Sequence, residues 1–139
     1  MSSIVRFSVS IPGDLAEAFD RRIADQGYAN RSEAVRDLMR DAIVDAEWED
    51  ADTRVVGVAT LVFGHGRPGL ARMLTRLQHE HHASVLCSTH IHLDAHNCME
   101  VVVLRGSAAR VQAIASALIS ARGVKHGKLV CTSAGGSLP

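Results

Sequence analysis

The stretch THIHLDAHNC, residues 89–98, sets three histidines and a cysteine within ten positions. Six of the chain's eight histidines fall in one region: His79, His81, His82, His90, His92 and His96. Imidazole nitrogen and thiolate sulfur are donors for borderline divalent metals, so ligation is the first chemistry to weigh. In an extended strand His90 and His92 project from the same face, close enough to share one ion. Cys98 starts the next segment beyond the short turn DAHN, so its sulfur can approach that face. An alternating histidine pair alone is more often a solvated sheet face; the added thiolate tips the balance toward a metal site.

The remaining donors have plainer explanations. HEHH at 79–82 reads as a helix end, where His81 and His82 satisfy the last carbonyls and the helix dipole. His96 falls in the turn, while His65 and His126 stand at no informative spacing. Cys87 and Cys131 read as small buried strand residues. Glu33 and Asp37 lie one helical turn apart; a solvated face paired with Arg36 and Arg40 is the bland use, a second cation site the sharper one. No paired carboxylates, nucleophile motif or phosphate loop is present, so an enzyme is not expected. A cupin-like centre on His90, His92 and Glu100 would need about eight strands, which the helical segments leave no room for.

The elements that must position these donors follow from periodicity. In IVRFSVSI, Arg6, Ser8 and Ser10 alternate with Val5, Phe7, Val9 and Ile11, the pattern of a half-buried strand. Pro12 opens a helix with Leu15, Phe19 and Ile23 on one side and Gly27 as its stop. Asn30 and Glu33 form a capping-box pattern ahead of a second helix striped by Ala34, Val35, Leu38, Ala42 and Ile43. This strand-helix-helix module, residues 1–48, is too small to bury a core alone and its strand lacks a partner, so a symmetric mate is expected. Two such strands would pair antiparallel and expose Arg6, Ser8 and Ser10 on a ribbon sized for the DNA major groove.

The acidic stretch DAEWEDAD leads into a linker at residues 49–53. The second domain, residues 54–139, then follows the order βαββαβ: strand TRVVGVATLVFG, which opens at the end of the linker, a helix carrying Leu70, Met73, Leu74 and Leu77, strands SVLCSTHIHLD and CMEVVVLRG, a helix ending at Gly123, and strand HGKLVCTS. The expected class is α+β, a ribbon-helix-helix module followed by a ferredoxin-like or ACT-like domain, with a frayed tail AGGSLP.

Composition agrees with an ordinary folded chain of 139 residues, 47% hydrophobic and 22% charged. Residues 1–50 carry 6 Lys and Arg against 11 Asp and Glu, and residues 51–139 carry 9 against 4, so the net of zero splits into −5 and +5. Global charge therefore lends no support to nucleic-acid binding. No apolar run reaches the ~20 residues of a membrane helix, and the first residues lack a secretory pattern, so a cytoplasmic location is expected. Three cysteines make no even disulfide framework.

Taken together, VRFSVSIP, YANRSEAVRDLM, QHEHH, THIHLDAHNCMEVVVLRG and RGVKHGKL resemble the nickel-responsive regulators, ribbon-helix-helix transcription factors with an ACT-like metal domain. The resemblance implies one Ni(II) per subunit, held in a planar set by His90, His92 and Cys98 with His79 from a facing subunit. It implies a homotetramer, a dimer of dimers, on a palindromic double-stranded operator. Arg6, Ser8 and Ser10 would read bases, though serine stands where the family often has threonine. Asn30 and Arg31 would meet a phosphate at the second helix start, and Arg67 would touch the DNA backbone, with Pro68 where a second base often follows. Glu33 and Asp37, with carbonyls near Ile119, Ala121 and Val124, would hold a second cation. The implied role is repression of nickel uptake genes when nickel is loaded. A sensor of Co, Cu or Zn, or a nickel storage protein, would use the same site.

Overall fold

A computed structural model describes residues 3–139. The chain divides into two compact units, Met1–Ile43 with Leu138–Pro139, and Val44–Ser137.

The first unit is built on helices α1 (Gly13–Asp25) and α2 (Arg31–Glu49), the second of which continues past the unit's end. Gly27 turns the chain at φ 80° after α1, as its position predicts. The Glu33 amide donates to the Asn30 side-chain oxygen at 3.0 Å, the N-terminal half of the expected capping box. Arg31 donates two 2.6 Å hydrogen bonds to the Asp20 carboxylate, tying the α2 start to α1. Ile23 and Ala34 are buried.

Residues 3–12 carry no regular strand, unlike the reading from alternation. Val5, Phe7, Val9 and Ile11 are exposed at 80, 64, 71 and 44%. The physical reason is the one that alternation already implied: an isolated strand has no ladder to join, and a single chain supplies none.

The second unit contains β1 (Arg54–Gly64), α3 (Leu70–Glu80), β2 (Val85–His92), β3 (Asn97–Ser107), α4 (Ala108–Ile119) and β4 (Val124–Thr132). The order is the expected βαββαβ. All pairings are antiparallel, and the strands lie in the order β2-β3-β1-β4. In β1 every second residue from Val55 to Phe63 is buried, as the period of a half-covered strand requires. That face meets Leu70 and Leu74 of α3 and Val111, Ile114 and Leu118 of α4 in one core. Ser107 caps α4 by accepting from the Arg110 amide at 3.3 Å. The helix ends at Ile119 rather than running to Gly123, whose φ of 111° instead shapes the turn into β4.

Residues 44–48 close the expected first module of residues 1–48, and Val44 and Trp48 pack on the core of the second unit. Trp48 donates its indole N–H to the Thr132 carbonyl at 3.0 Å. A side chain on Gly57 would lie 3.0 Å from the Trp48 ring and 2.9 Å from Leu129 Cδ1. Glycine is the residue that lets the indole lie against β1.

Cys87 and Cys131 are exposed, correcting the expectation that they are core residues. Both sit on the outermost strands, β2 and β4, where only one neighbour covers the chain. Partial burial and then the nearby Asp45 charge push the Cys131 thiol up from its ordinary range.

Candidate metal centre

The hairpin β2–β3 carries the proposed donors. Its register sets His92 opposite Cys98 and His90 opposite Glu100, so all four residues share the sheet face that meets the helices. Cys98 is fully buried at the edge of the core, whereas His90 and His92 are exposed. The Cys98 sulfur lies 3.6 Å from His92 Nδ1, and the His90 and His92 rings are 5.1 Å apart.

The turn between the strands is held by Asp94. One of its oxygens accepts from the His96 amide at 2.7 Å and the Asn97 amide at 2.8 Å, and the Asn97 side chain adds further contacts. These donors, the Asn97 side chain first, hold the Asp94 carboxyl below its ordinary value. Lys125 donates to the Asn97 side-chain oxygen at 2.6 Å, anchoring the turn to β4. His96 contributes backbone rather than a ring: its carbonyl accepts from the His65 amide at 2.7 Å.

That last contact brings in a residue the spacing did not single out. His65 follows β1, whose register puts Phe63 opposite Cys98 and Gly64 opposite Asn97. Its Nδ1 lies 3.3 Å from the Cys98 sulfur. Among the described residues, His65, His92 and Cys98 are the group whose donor atoms all lie within 4.8 Å of one another. His90 instead sets its ring edge-on to Phe63 at 5.7 Å between centroids.

His79 is exposed at the last turn of α3, with its ring 6.1 Å from that of His82 and outside this group. The neighbouring Gln78 points the other way and donates to Glu100 at 2.6 Å. Ser88 donates to the same Glu100 oxygen at 2.7 Å, so a buried carboxylate ties α3 to β2. Such a group is sustained indoors by its hydrogen bonds. Glu100 is thereby a strut beside the donors.

The expected DNA contacts have identifiable positions. Arg6, Ser8 and Ser10 alternate along the exposed segment 3–12, and Asn30 and Arg31 stand at the α2 start. Arg67, in the loop before α3, lies across Gly123, where a Cβ would come within 2.5 Å of its Cδ. Asp37 accepts from Arg40 at 2.8 Å and from the Tyr28 hydroxyl at 2.9 Å, which raises the Tyr28 phenol above its ordinary range. Glu33 lines the same shallow recess.

The model for the NikR C-terminal nickel-binding domain matches residues 56–132, and that for ribbon-helix-helix proteins of the copG family matches residues 5–46. A protein of Thermococcus onnurineus bearing the name "Putative nickel-responsive regulator" is 52% identical, covering 97% of this chain and 98% of its own. The chain belongs to the nickel-responsive regulator family. A Geobacter metallireducens protein of the same name is 51% identical over 99% of both chains. An uncharacterized protein of Thermotoga maritima, 19% identical, superposes with a TM-score of 0.50 over 56% of this chain and 96% of its own, a likeness of fold alone.

Membership of the nickel-responsive regulators makes this a transcriptional regulator rather than an enzyme, with a ribbon-helix-helix DNA-binding module and a nickel-binding domain. Among the described residues, no helix is long and apolar enough to cross a membrane.

Proposed function

We propose that this chain binds operator DNA when Ni(II) is loaded and represses genes of nickel uptake. The observation that carries the reading is the buried Cys98 sulfur 3.6 Å from His92 Nδ1 at the mouth of a hairpin that also carries His90. A thiolate with imidazole neighbours suits a borderline divalent ion, so the residues present fit nickel. His90, His92 and Cys98 would hold it in one subunit. His79, exposed and apart from these donors, would serve the site of a facing subunit, one ion per subunit of a homotetramer.

Two features support the DNA side. The exposed apolar row Val5, Phe7, Val9 and Ile11 needs cover, and an antiparallel copy of the same segment supplies it. Pairing would leave Arg6, Ser8 and Ser10 on the free face, able to meet base edges in the major groove. Asn30 and Arg31 at a helix start suit a phosphate, and Arg67 suits the DNA backbone. Glu33 and Asp37 are proposed for a second cation. The operator would be palindromic, matching the two-fold protein, and the protein would work in the cytoplasm.

Metal dependence requires that the DNA-competent arrangement be favoured when the site is filled, and a ligand shared between subunits provides that difference. The −5 charge of residues 1–50 weakens the nonspecific electrostatic attraction to DNA and makes metal-dependent contacts matter more. The site is tested by Ni(II) titration followed through thiolate charge-transfer absorption. Cys98→Ala is expected to lose the absorption and His79→Ala to weaken binding; an unchanged spectrum in Cys98→Ala contradicts the reading.

A further inference from the structure

The last turns of α2 carry their charge the wrong way round for a helix end. Asp45, Glu47 and Glu49 stand there, with no basic residue in the last turn, and carboxylates at a helix C-terminus oppose the backbone dipole. Asp45 and Glu49, four residues apart, also repel each other. Left to itself this end would fray, yet it is helical through Glu49. Tertiary contacts must therefore hold it.

Two contacts from the last residues of the chain do so. Buried Trp48 donates to the Thr132 carbonyl, at the end of β4, at 3.0 Å. Beyond β4 the Ser133 hydroxyl accepts from the Gly135 amide at 3.0 Å, and Gly135 takes a left-handed φ of 85°. This turn brings Ser137 back to α2, where its hydroxyl donates to Glu47 Oε1. Neighbouring residues point about 100° apart around a helix, so Glu47 and Trp48 are gripped from two directions. The grip on Glu47 is light: its other oxygen, Oε2, is buried and, among the described residues, has no hydrogen-bond partner. A carboxylate oxygen taken out of water without a partner opposes the docked arrangement. The docked segment is thus finely balanced and can let go.

We propose that residues 133–137 are a releasable strap: docked, they clamp the last turns of α2, and undocked, they let those turns fray. α2 is a single helix from Arg31 to Glu49. Its start holds Arg31, with Asn30 just before it, and its last turns belong to the second unit. Fraying shortens the rigid element that joins the DNA-contacting start to the metal-binding domain. The strap therefore sets how firmly metal loading is transmitted to DNA, through contacts that involve none of the proposed metal ligands. This inference rests on reading the chain as a metal-dependent DNA binder.

The test compares wild type with Ser137→Ala and with a chain shortened to end at Thr132. Hydrogen–deuterium exchange reads the amides of residues 45–49, Ni(II) titration reads the metal centre, and anisotropy with labelled operator reads DNA binding. Ser137→Ala is expected to speed exchange at those amides by about fivefold, the scale of one lost hydrogen bond, and the shortened chain to speed it at least as much. Nickel affinity is expected to stay at the wild-type value while Ni-loaded operator affinity falls by about two- to fivefold, within the same scale. Circular dichroism of each variant checks that the fold is kept. Unchanged exchange in both variants, unchanged operator affinity in both, or a parallel loss of nickel affinity would each overturn the strap while leaving the regulator reading standing. Wild-type protein that binds operator equally with and without Ni(II) overturns the regulator reading, and the transmitting role of the strap falls with it.

Discussion

Cys98 stands directly opposite His92 across the β2–β3 ladder, its sulfur buried in the core and 3.6 Å from the exposed histidine's Nδ1. One donor is thus fixed by packing and the other by the hairpin. The spacing between them depends on the turn that joins the strands.

Asp94 closes that turn by accepting from the His96 and Asn97 amides. Asp94→Ala is expected to leave the fold intact, speed hydrogen exchange at those two amides and weaken Ni(II) binding by about tenfold, the effect of a supporting residue. A competition titration with a chromophoric chelator reads the affinity. An unchanged value would show that the turn does not set the donor spacing.

Glu100 accepts from Gln78 and Ser88 inside the protein. Glu100→Ala leaves both donors short of a partner, which costs about 1–3 kcal/mol. Denaturant unfolding checks this, and a midpoint equal to wild type would contradict the strut.

Gly57 faces the Trp48 ring, Leu129 and Val111, each within 3.0 Å of where a Cβ would stand. Gly57→Ala is expected to destabilise the second unit by about 1–3 kcal/mol through overpacking. Trp48 fluorescence should shift at the same time, because the indole is what must move. Wild-type stability together with an unshifted emission would contradict the close packing.

The Asp20 carboxylate receives two hydrogen bonds from Arg31, and that contact holds it below its ordinary value of 3.8. A depressed carboxylate adds stability above the unfolded pKa and loses it as pH falls through the folded value. The pair is open to solvent at 62% and 45% exposure, so its contribution is small. Carboxyl NMR should find Asp20 titrating below 3.8 in wild type and moving up toward that value in Arg31→Ala. Identical titration in both proteins would contradict the pairing.

The order βαββαβ was legible because each segment's period is local, and His90, His92 and Cys98 were legible because a strand and a four-residue turn bring them close. His65 was not, because its approach depends on the register of β1 against β3, a pairing more than thirty residues apart in sequence. The same limit hid the Glu100 strut, which needs Gln78 of α3 to reach a carboxylate on β3. Cys87 and Cys131 were misplaced because nothing local distinguishes a central strand from an edge strand. The strand at residues 4–11 needs a ladder that its own chain does not provide, and the helix-to-strand turn at Gly123 hid the earlier end of α4.

The central claim is that filling the metal centre governs DNA binding, and fluorescence anisotropy with labelled operator DNA, with and without Ni(II), tests it most directly. Ni-loaded protein is expected to bind the operator at least about tenfold more tightly than apo protein, the lower part of ordinary allosteric couplings. Equal affinity of the two forms would contradict it.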